Sequence, residues 1–354
     1  MYIIGLMSGT SLDGLDIALC RFDDTPSDAL DWQLLAARTY PYPDDWVSCL
    51  SGLDAASAYD YALANVRLGR YFGELVNRFR AIHPYPVDAI ASHGHTVFHQ
   101  PRLGFTAQIA DGDAIAAVTG LPVVYNFRTL DVALGGQGAP LVPVGDRLLF
   151  PQYDACLNLG GFSNISYDDA GGLRRAFDIA PCNMALNSLS RRLGHAFDRD
   201  GIIARGGAVN PALLDALDSL EYYAAPSPKS LGKEWYLSAF YPLILRSPLP
   251  VPVLLRTVVE HIARQIAAAL RQCGCSTLLV TGGGAHNTFL VERIAALASG
   301  CRVDVPEPDI VDYKEAVIFA LLGYLRLQRR PNSLASVTGA SADACGGCLA
   351  GLLN

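Results

Sequence analysis

The first residues able to do chemistry lie near the start, in Gly5-Leu-Met-Ser-Gly-Thr-Ser-Leu-Asp-Gly-Leu-Asp16. The β-prone runs Tyr2-Ile-Ile4 and Ile17-Ala-Leu-Cys-Arg-Phe22 flank it, so the spacing predicts a strand, a glycine turn and a strand. Such a tip can hold an anion. Glycine lets backbone N–H groups turn outward, Thr10 and Ser11 add hydroxyl donors, and Asp13 or Asp16 can hold a hydrated magnesium ion. With no lysine and no helix following, it is not the G-x-x-x-x-G-K-[ST] loop. An ordinary polar hairpin has the same composition, so the weight comes from recurrence. Ala155 to Tyr167 repeats the layout around Gly160, Gly161 and Asn164. A third glycine turn, Gly282-Gly283-Gly284, stands between a strand at 277–281 and a helix from His286, an arrangement that seats an anion or nucleotide.

Other polar groups stand where elements end. Asp178 closes a strand and faces a helix start, which suits a helix cap or a base aimed into a cleft. His93, His95 and His99 lack the spacing and carboxylates of a zinc site. At the carboxyl end of a strand they suit ligand contact or a surface loop. Arg128 and Asp131 precede a Gly/Pro-dense segment, 134–143, expected to cross between domains, and suit either a cleft or a surface ion pair. Glu315, in the first turn of an apolar helix, favours the helix dipole or points into a cleft.

These residues need a framework. Helical periodicity is expected over 62–82, 113–119, 184–193, 257–272, 286–298 and 316–327, and strands over 87–91, 121–125 and 277–281. Two strand–turn–strand units, each opening a strand-then-helix region, suggest an internal duplication. At 354 residues the chain has room for about two domains. They are expected at 1–135 and 136–354, with the last helices packing on either one. Hydrophobic residues make up 51 % and charged ones 17 %, as in a globular α/β protein. The net charge of −7 argues against a nucleic-acid surface. No signal peptide or membrane-length apolar run is visible. Nine scattered cysteines fit reduced thiols in a cytosol, and Cys345-Gly-Gly-Cys348 has no second pair to complete a zinc knuckle.

Taken together, residues 5–16, Ser92-His-Gly-His-Thr96, Phe127-Arg128 with Asp131, and Gly135-Gly-Gln-Gly-Ala-Pro-Leu-Val-Pro143 resemble one family. So do Phe177-Asp178, Pro228-Lys-Ser230 with Gly232 and Glu234, Gly282–Ala285, Lys314-Glu-Ala316 and Val337-Thr-Gly-Ala340. The chain resembles the 1,6-anhydro-N-acetylmuramic acid kinases of peptidoglycan recycling. That resemblance implies two ribonuclease-H-like domains of the actin/hexokinase type, flanking an ATP and substrate cleft. It implies ATP and magnesium as cofactors, a cytoplasmic homodimer, and cleavage of the anhydro bridge coupled to phosphorylation of O6.

Carried over by position, Gly9, Thr10, Ser11, Leu12, Asp13, Gly14, Leu15 and Asp16 would bind ATP phosphates, with Asp13 and Asp16 holding magnesium through water. Gly160, Gly161, Asn164, Gly282, Gly283 and Gly284 join them on the nucleotide. Asp178 would be the base that activates water, and His95, Thr96, Arg128, Asp131, Asn183 and Glu315 would contact sugar. The chain departs from the family pattern at Ile179, Ala180 and Cys182, where Thr, Gly and Gly are common. It departs again at Asn126 (for Asp) and His95 (for Gln). A kinase for another anhydro sugar, such as 1,6-anhydroglucose, is therefore one alternative. An actin- or chaperone-like ATPase is another.

Overall fold

The computed structural model describes residues 1–25 and 30–351. The chain divides into two compact units, one of residues 1–150 with 313–354 and one of residues 151–312. The division thus falls after Phe150 and again after Asp312, where 135/136 was expected. Segment 134–143 packs inside the first unit because Asp131 and Thr338 hold it. Gly138 N–H donates to Asp131 Oδ2 at 2.7 Å, and Gln137 N–H donates to the Thr338 carbonyl at 2.9 Å.

The first unit is built on a seven-stranded sheet. Its strands are β1 (Tyr2–Ser8), β2 (Gly14–Asp24), β3 (Leu30–Pro41), β4 (Ala89–Gln100), β5 (Phe105–Ile109) and β6 (Val123–Tyr125). The second unit holds β7 (Ala155–Leu159), β8 (Phe162–Asp168), β9 (Arg174–Pro181), β10 (Thr277–Thr281) and β11 (Arg302–Asp304). The chain then returns to add β12 (Cys348–Ala350) to the first sheet. The first sheet runs β12-β6-β4-β1-β2-β3, with β5 on β4, and the second runs β11-β10-β7-β8-β9. In each, three consecutive strands make an antiparallel meander whose first strand pairs in parallel with a fourth, and the fourth with a fifth. The two units therefore share one topology, the duplication expected from the two glycine hairpins.

Helices cover both faces of the first sheet, which is why β1 is apolar on both sides. Ile4, Leu6, Leu15, Ile17 and Leu19 pack with Leu68, Phe72, Leu75, Val76 and Phe79 of the helix Ala58–Ile82. On the other face runs the helix Pro308–Leu327, whose Ala316 carbonyl would stand 1.9 Å from any Cβ placed on Gly5. In the second unit the helix Val251–Cys273 carries Leu254, Leu255, Val258, Val259, Ile262 and Ile266 into the core with Leu157, Ile165 and Val280.

Two helices begin well before their expected starts, at Val251 rather than 257 and at Pro308 rather than 316. Pro252 and Pro308 fall in the first turns of these helices, where proline is accepted because the lost N–H had no partner. The third glycine turn leads first into a short 3₁₀ segment, Gly283–His286. The helix Thr288–Leu297 follows, capped by Asn287 Oδ1 on the Leu290 N–H at 3.0 Å. Strand β3 carried no sequence expectation, because its alternation is blurred by half-buried residues on both faces. No helix among the described residues is long and apolar enough to cross a membrane.

Candidate active site

In the first unit the expected residues follow β1 and β6, but His93, His95, Thr96 and His99 lie within β4 and not at its carboxyl end, because the strand continues to Gln100 to pair with β5. The turn from Gly9 to Asp13 leaves Thr10, Ser11 and Asp13 exposed. Leu12 has φ +61°, and Gly14 has no room for a side chain because a Cβ would lie 2.4 Å from the Tyr40 carbonyl. Asp16, half-buried on β2, accepts from the Thr39 hydroxyl at 2.6 Å. The β1–β4 register shifts between Leu6 and Ser8, which sets Ser8 opposite His95. A bulge of this kind re-aims side chains. Here it builds a buried chain in which Tyr42 Oη donates to Ser8 Oγ at 2.7 Å, and Ser8 Oγ lies 3.0 Å from His95 Nδ1. Burial lowers the His95 pKa, so its ring is neutral near pH 7. Thr96 is half-buried and receives a bond from Gln108 Nε2 at 3.3 Å.

Arg128 donates from Nε to His93 Nε2 at 3.0 Å and from a terminal nitrogen to the Gly138 carbonyl at 2.7 Å. Burial lowers its pKa, while Glu315 and Asp131 nearby oppose the shift. Burial raises the Glu315 pKa, against Arg128 and Lys314 and with help from Asp16 and Asp146. Asp131 and Arg128 are not a surface ion pair. Asp131 is 1 % exposed and spends one oxygen on the Gly138 N–H and the other on the Thr338 hydroxyl at 2.7 Å. It shapes the loop that receives Arg128, which also explains Val337-Thr-Gly-Ala340.

In the second unit the glycine turns close on each other. Asn183 donates through Nδ2 to the Leu159 carbonyl at 2.9 Å and through its backbone to the Gly160 carbonyl at 3.1 Å. Gly282 sits at φ +82°, and a Cβ there would lie 2.3 Å from Asn158 Oδ1. One on Gly284 would meet Leu159 at 2.6 Å. Gly161 and Gly283 are exposed. Gly282→Ala is expected to strain the turn by about 1–3 kcal/mol and raise the KM for ATP roughly tenfold with a smaller effect on kcat. Initial-rate kinetics check this, and an unchanged KM would count against the expected nucleotide role of the turn.

Asp178 lies within β9 and not at its end, and among the described residues its carboxylate takes the Leu231 N–H, outside any helix. The β8–β9 register shifts between Ser163 and Asn164, so that Asn164 faces Asp178 and Ser163 faces Ala180. A second bulge thus sits beside a candidate catalytic side chain. Asp178 Oδ2 accepts the Leu231 N–H at 2.8 Å, the Asp178 N–H reaches the Lys229 carbonyl at 3.1 Å, and Tyr222 Oη donates to the Asp178 carbonyl at 2.6 Å. Burial raises the Asp178 pKa, and the Leu231 N–H partly offsets that rise. A half-buried carboxylate with raised basicity suits proton abstraction.

Sequence reasoning passed over Ser8, Tyr42, Tyr222 and Leu231. Ser8 stood inside the first motif and Leu231 directly after Pro228-Lys-Ser230, whereas Tyr42 and Tyr222 left no signal. The departures from the family pattern also find their places. Ile179, Ala180 and Cys182 are 3 %, 0 % and 0 % exposed and belong to the apolar core of the second unit. Asn126 sits at φ +58°, a region that asparagine tolerates, and accepts from the Thr129 hydroxyl as an aspartate would.

Two units of one topology, each with a glycine turn after its first strand, define the two-domain ATPase class that includes the sugar kinases, actin and the heat-shock ATPases. A model of the anhydro-N-acetylmuramic acid kinase family matches residues 1–350. The chain is 38 % identical to an anhydro-N-acetylmuramic acid kinase of Pseudomonas paraeruginosa over 98 % of both chains. It is 36 % identical to one of a Sulfurovum species over 96 % of both. Among solved structures, a glucokinase of the ROK family from Streptomyces griseus, in complex with glucose and AMPPNP, aligns with 91 % of this chain and 99 % of its own at TM-score 0.42 and 14 % identity. The chain belongs to the anhydro-N-acetylmuramic acid kinase family and is a phosphotransferase.

Proposed function

We propose that the protein uses ATP and water to convert 1,6-anhydro-N-acetylmuramic acid to N-acetylmuramic acid 6-phosphate and ADP, in the cytoplasm, as a step of cell-wall recycling. The observation that carries this reading is Asp178: a half-buried carboxylate of raised pKa, re-aimed by a bulge and held by a backbone N–H. A plain sugar kinase deprotonates a hydroxyl. An anhydro-sugar kinase must instead activate water at the anomeric carbon, and a carboxylate base opposite the leaving oxygen does so in inverting glycoside hydrolysis. In this reading Asp178 takes a proton from water as its oxygen bonds to C1. The C1–O6 bond breaks, and O6 takes the γ-phosphoryl group.

Phosphoryl transfer needs positioning and charge neutralisation more than covalent help. We assign the phosphates to the outward groups of Gly9 to Asp16 and the nucleotide to the turns at Gly160–Gly161 and Gly282–Gly284, with Asn164 beside them. Sugar contacts fall to His95, Thr96, Arg128, Glu315 and Asn183, with Asp131 acting through the Arg128 loop. The burial of Ile179, Ala180 and Cys182 supports an unchanged substrate, since none of the three offers its side chain to a ligand.

Magnesium fits the donor set. Asp13 and Asp16 supply hard carboxylate oxygens, and among the described residues no group of three or more His, Cys, Asp or Glu side chains could cage a metal. That suits an ion held mainly by water and phosphate. When bound, it would neutralise charge on the phosphates. The homodimer is likewise part of this proposal, checked by light scattering.

Mass spectrometry of the products formed from Mg-ATP, the anhydro sugar and heavy-oxygen water tests the reading. A sugar product carrying one phosphoryl group and one heavy oxygen is expected. Phosphorylation without heavy oxygen would leave a simple kinase. ATP hydrolysis indifferent to the sugar would favour the non-kinase ATPase.

A further inference from the structure

The Lys229 side chain, in the Pro228-Lys-Ser230 motif, and a buried histidine have no part in the chemistry above, and both reach Tyr223. His261, on the helix Val251–Cys273, is fully buried. Its Nδ1 lies 2.6 Å from Asp218 Oδ1 and its Nε2 lies 2.8 Å from Tyr223 Oη. Asp218 also accepts from Arg264 at 3.2 Å and Gln265 at 3.0 Å, so it is an ionised acceptor. The proton between it and His261 therefore sits on Nδ1, which leaves Nε2 to accept from the Tyr223 hydroxyl. A buried, fully partnered network of this kind fixes Tyr223 in one orientation.

Tyr223 belongs to the short helix Glu221–Ala224. Lys229 Nζ donates to the carbonyls of Tyr222 at 2.9 Å and Tyr223 at 3.4 Å, and stands 4.6 Å from the centre of the Tyr222 ring. The same segment grips Asp178 at three points, through the Lys229 carbonyl, the Leu231 N–H and the Tyr222 hydroxyl. Aromatic contacts of Tyr222 and Tyr223 with Trp235, at 5.3 and 6.3 Å, complete the packing.

We infer that Asp218, His261, Tyr223 and Lys229 are positioning residues that lock segment 221–231 so that the Leu231 N–H stays on the catalytic carboxylate of Asp178. This rests on the reading of Asp178 as the base. The lock sets both the aim of the carboxylate and its basicity, because an N–H donated to the charged form favours that form. The groups facing Asp178 are Tyr222, Lys229 and the Leu231 N–H from this segment and Asn164 from β8. Releasing the segment removes the donor and leaves the burial.

The test compares Tyr223→Phe and Lys229→Met with the wild type, each first shown to be folded by circular dichroism. The acid limb of the kcat/KM profile for the anhydro sugar is expected to move up by roughly half to one pH unit. The expected fall in kcat is about tenfold, with the KM for ATP unchanged. Lys229→Arg, which keeps a cationic donor for the two carbonyls, is expected to restore the limb. A lower melting temperature with an unmoved limb in both variants would mean that the network is only structural, and would overturn the inference. Asp178→Asn, measured alongside, separates the two ideas: full activity there would remove the base itself, and this inference with it.

Discussion

Asp178→Asn is expected to lower turnover roughly 10³-fold while leaving the KM values near those of the wild type. The amide is isosteric, and its oxygen can still accept the Leu231 N–H, which is 2.8 Å from Asp178 Oδ2. The fold around it should therefore survive, and what is lost is the ability to take a proton from water. Heavy-oxygen incorporation at the anomeric carbon should fall with turnover. Sugar phosphorylation at an undiminished rate would exclude Asp178 as the base.

The pH dependence has a definite sign. Burial raises the Asp178 pKa above the ordinary 3.8, so the base form exists only above that raised value, and activity declines as pH falls through it. For stability the same shift acts in the opposite direction. A carboxyl that holds its proton more tightly in the folded state favours folding below the unfolded pKa. That contribution is lost as pH rises through the folded pKa. At neutral pH the charged, half-buried carboxylate is thus a cost. Asp178→Asn should melt no lower than the wild type, and thermal melts read this directly.

The second large effect is on stability. Gly5→Ala is expected to cost about 3 kcal/mol or more, because the added methyl carbon would lie 1.9 Å from the Ala316 carbonyl and 2.7 Å from the Ala320 amide nitrogen. Both are backbone atoms of the helix Pro308–Leu327, so no side chain can swing away. Strand and helix must separate along a face where Phe319 packs 4.6 Å from His93 and Tyr324 packs 5.4 Å from Phe22. For a unit of this size the melting temperature should drop by roughly 6–12 °C. Activity should fall as well, since Glu315 rides on the same helix. A shift below about 2 °C would show that the helix slides freely and that Gly5 is not required for its approach.

Much of the framework was legible because it rests on local rules. Apolar runs bounded by glycine and proline marked β1, β4, β6, β7 and β10. Periodicity of 3.6 residues marked the long helices, and three glycine turns marked the places where backbone comes closest to itself. The ordered motifs from Gly5 to Ala340 carried the family outright. Two helix starts, at Val251 and Pro308, were read late where proline stood in the first turn, since the same residue ends one helix and opens another.

What local pattern cannot carry is which distant groups satisfy one another. In sequence Asp131 suits a cleft or a surface ion pair alike, and only the fold brings Thr338 to it from 207 residues away. The Tyr42–Ser8–His95 chain depends on a one-residue bulge in β4, and the aim of Asp178 on another in β9. A register shift of one residue turns a side chain to the other face of a sheet, and nothing in the alternation of the strand itself records it. Residues 313–351 were left open between the two domains, and they pack in the first unit because Gly5, Gly145 and Gly323 let their helix lie against it. The sequence alone therefore determined the family, the paired topology and the kinds of chemical group. Tertiary structure alone decided which buried polar atoms meet, because those contacts join strands and helices that no local preference relates.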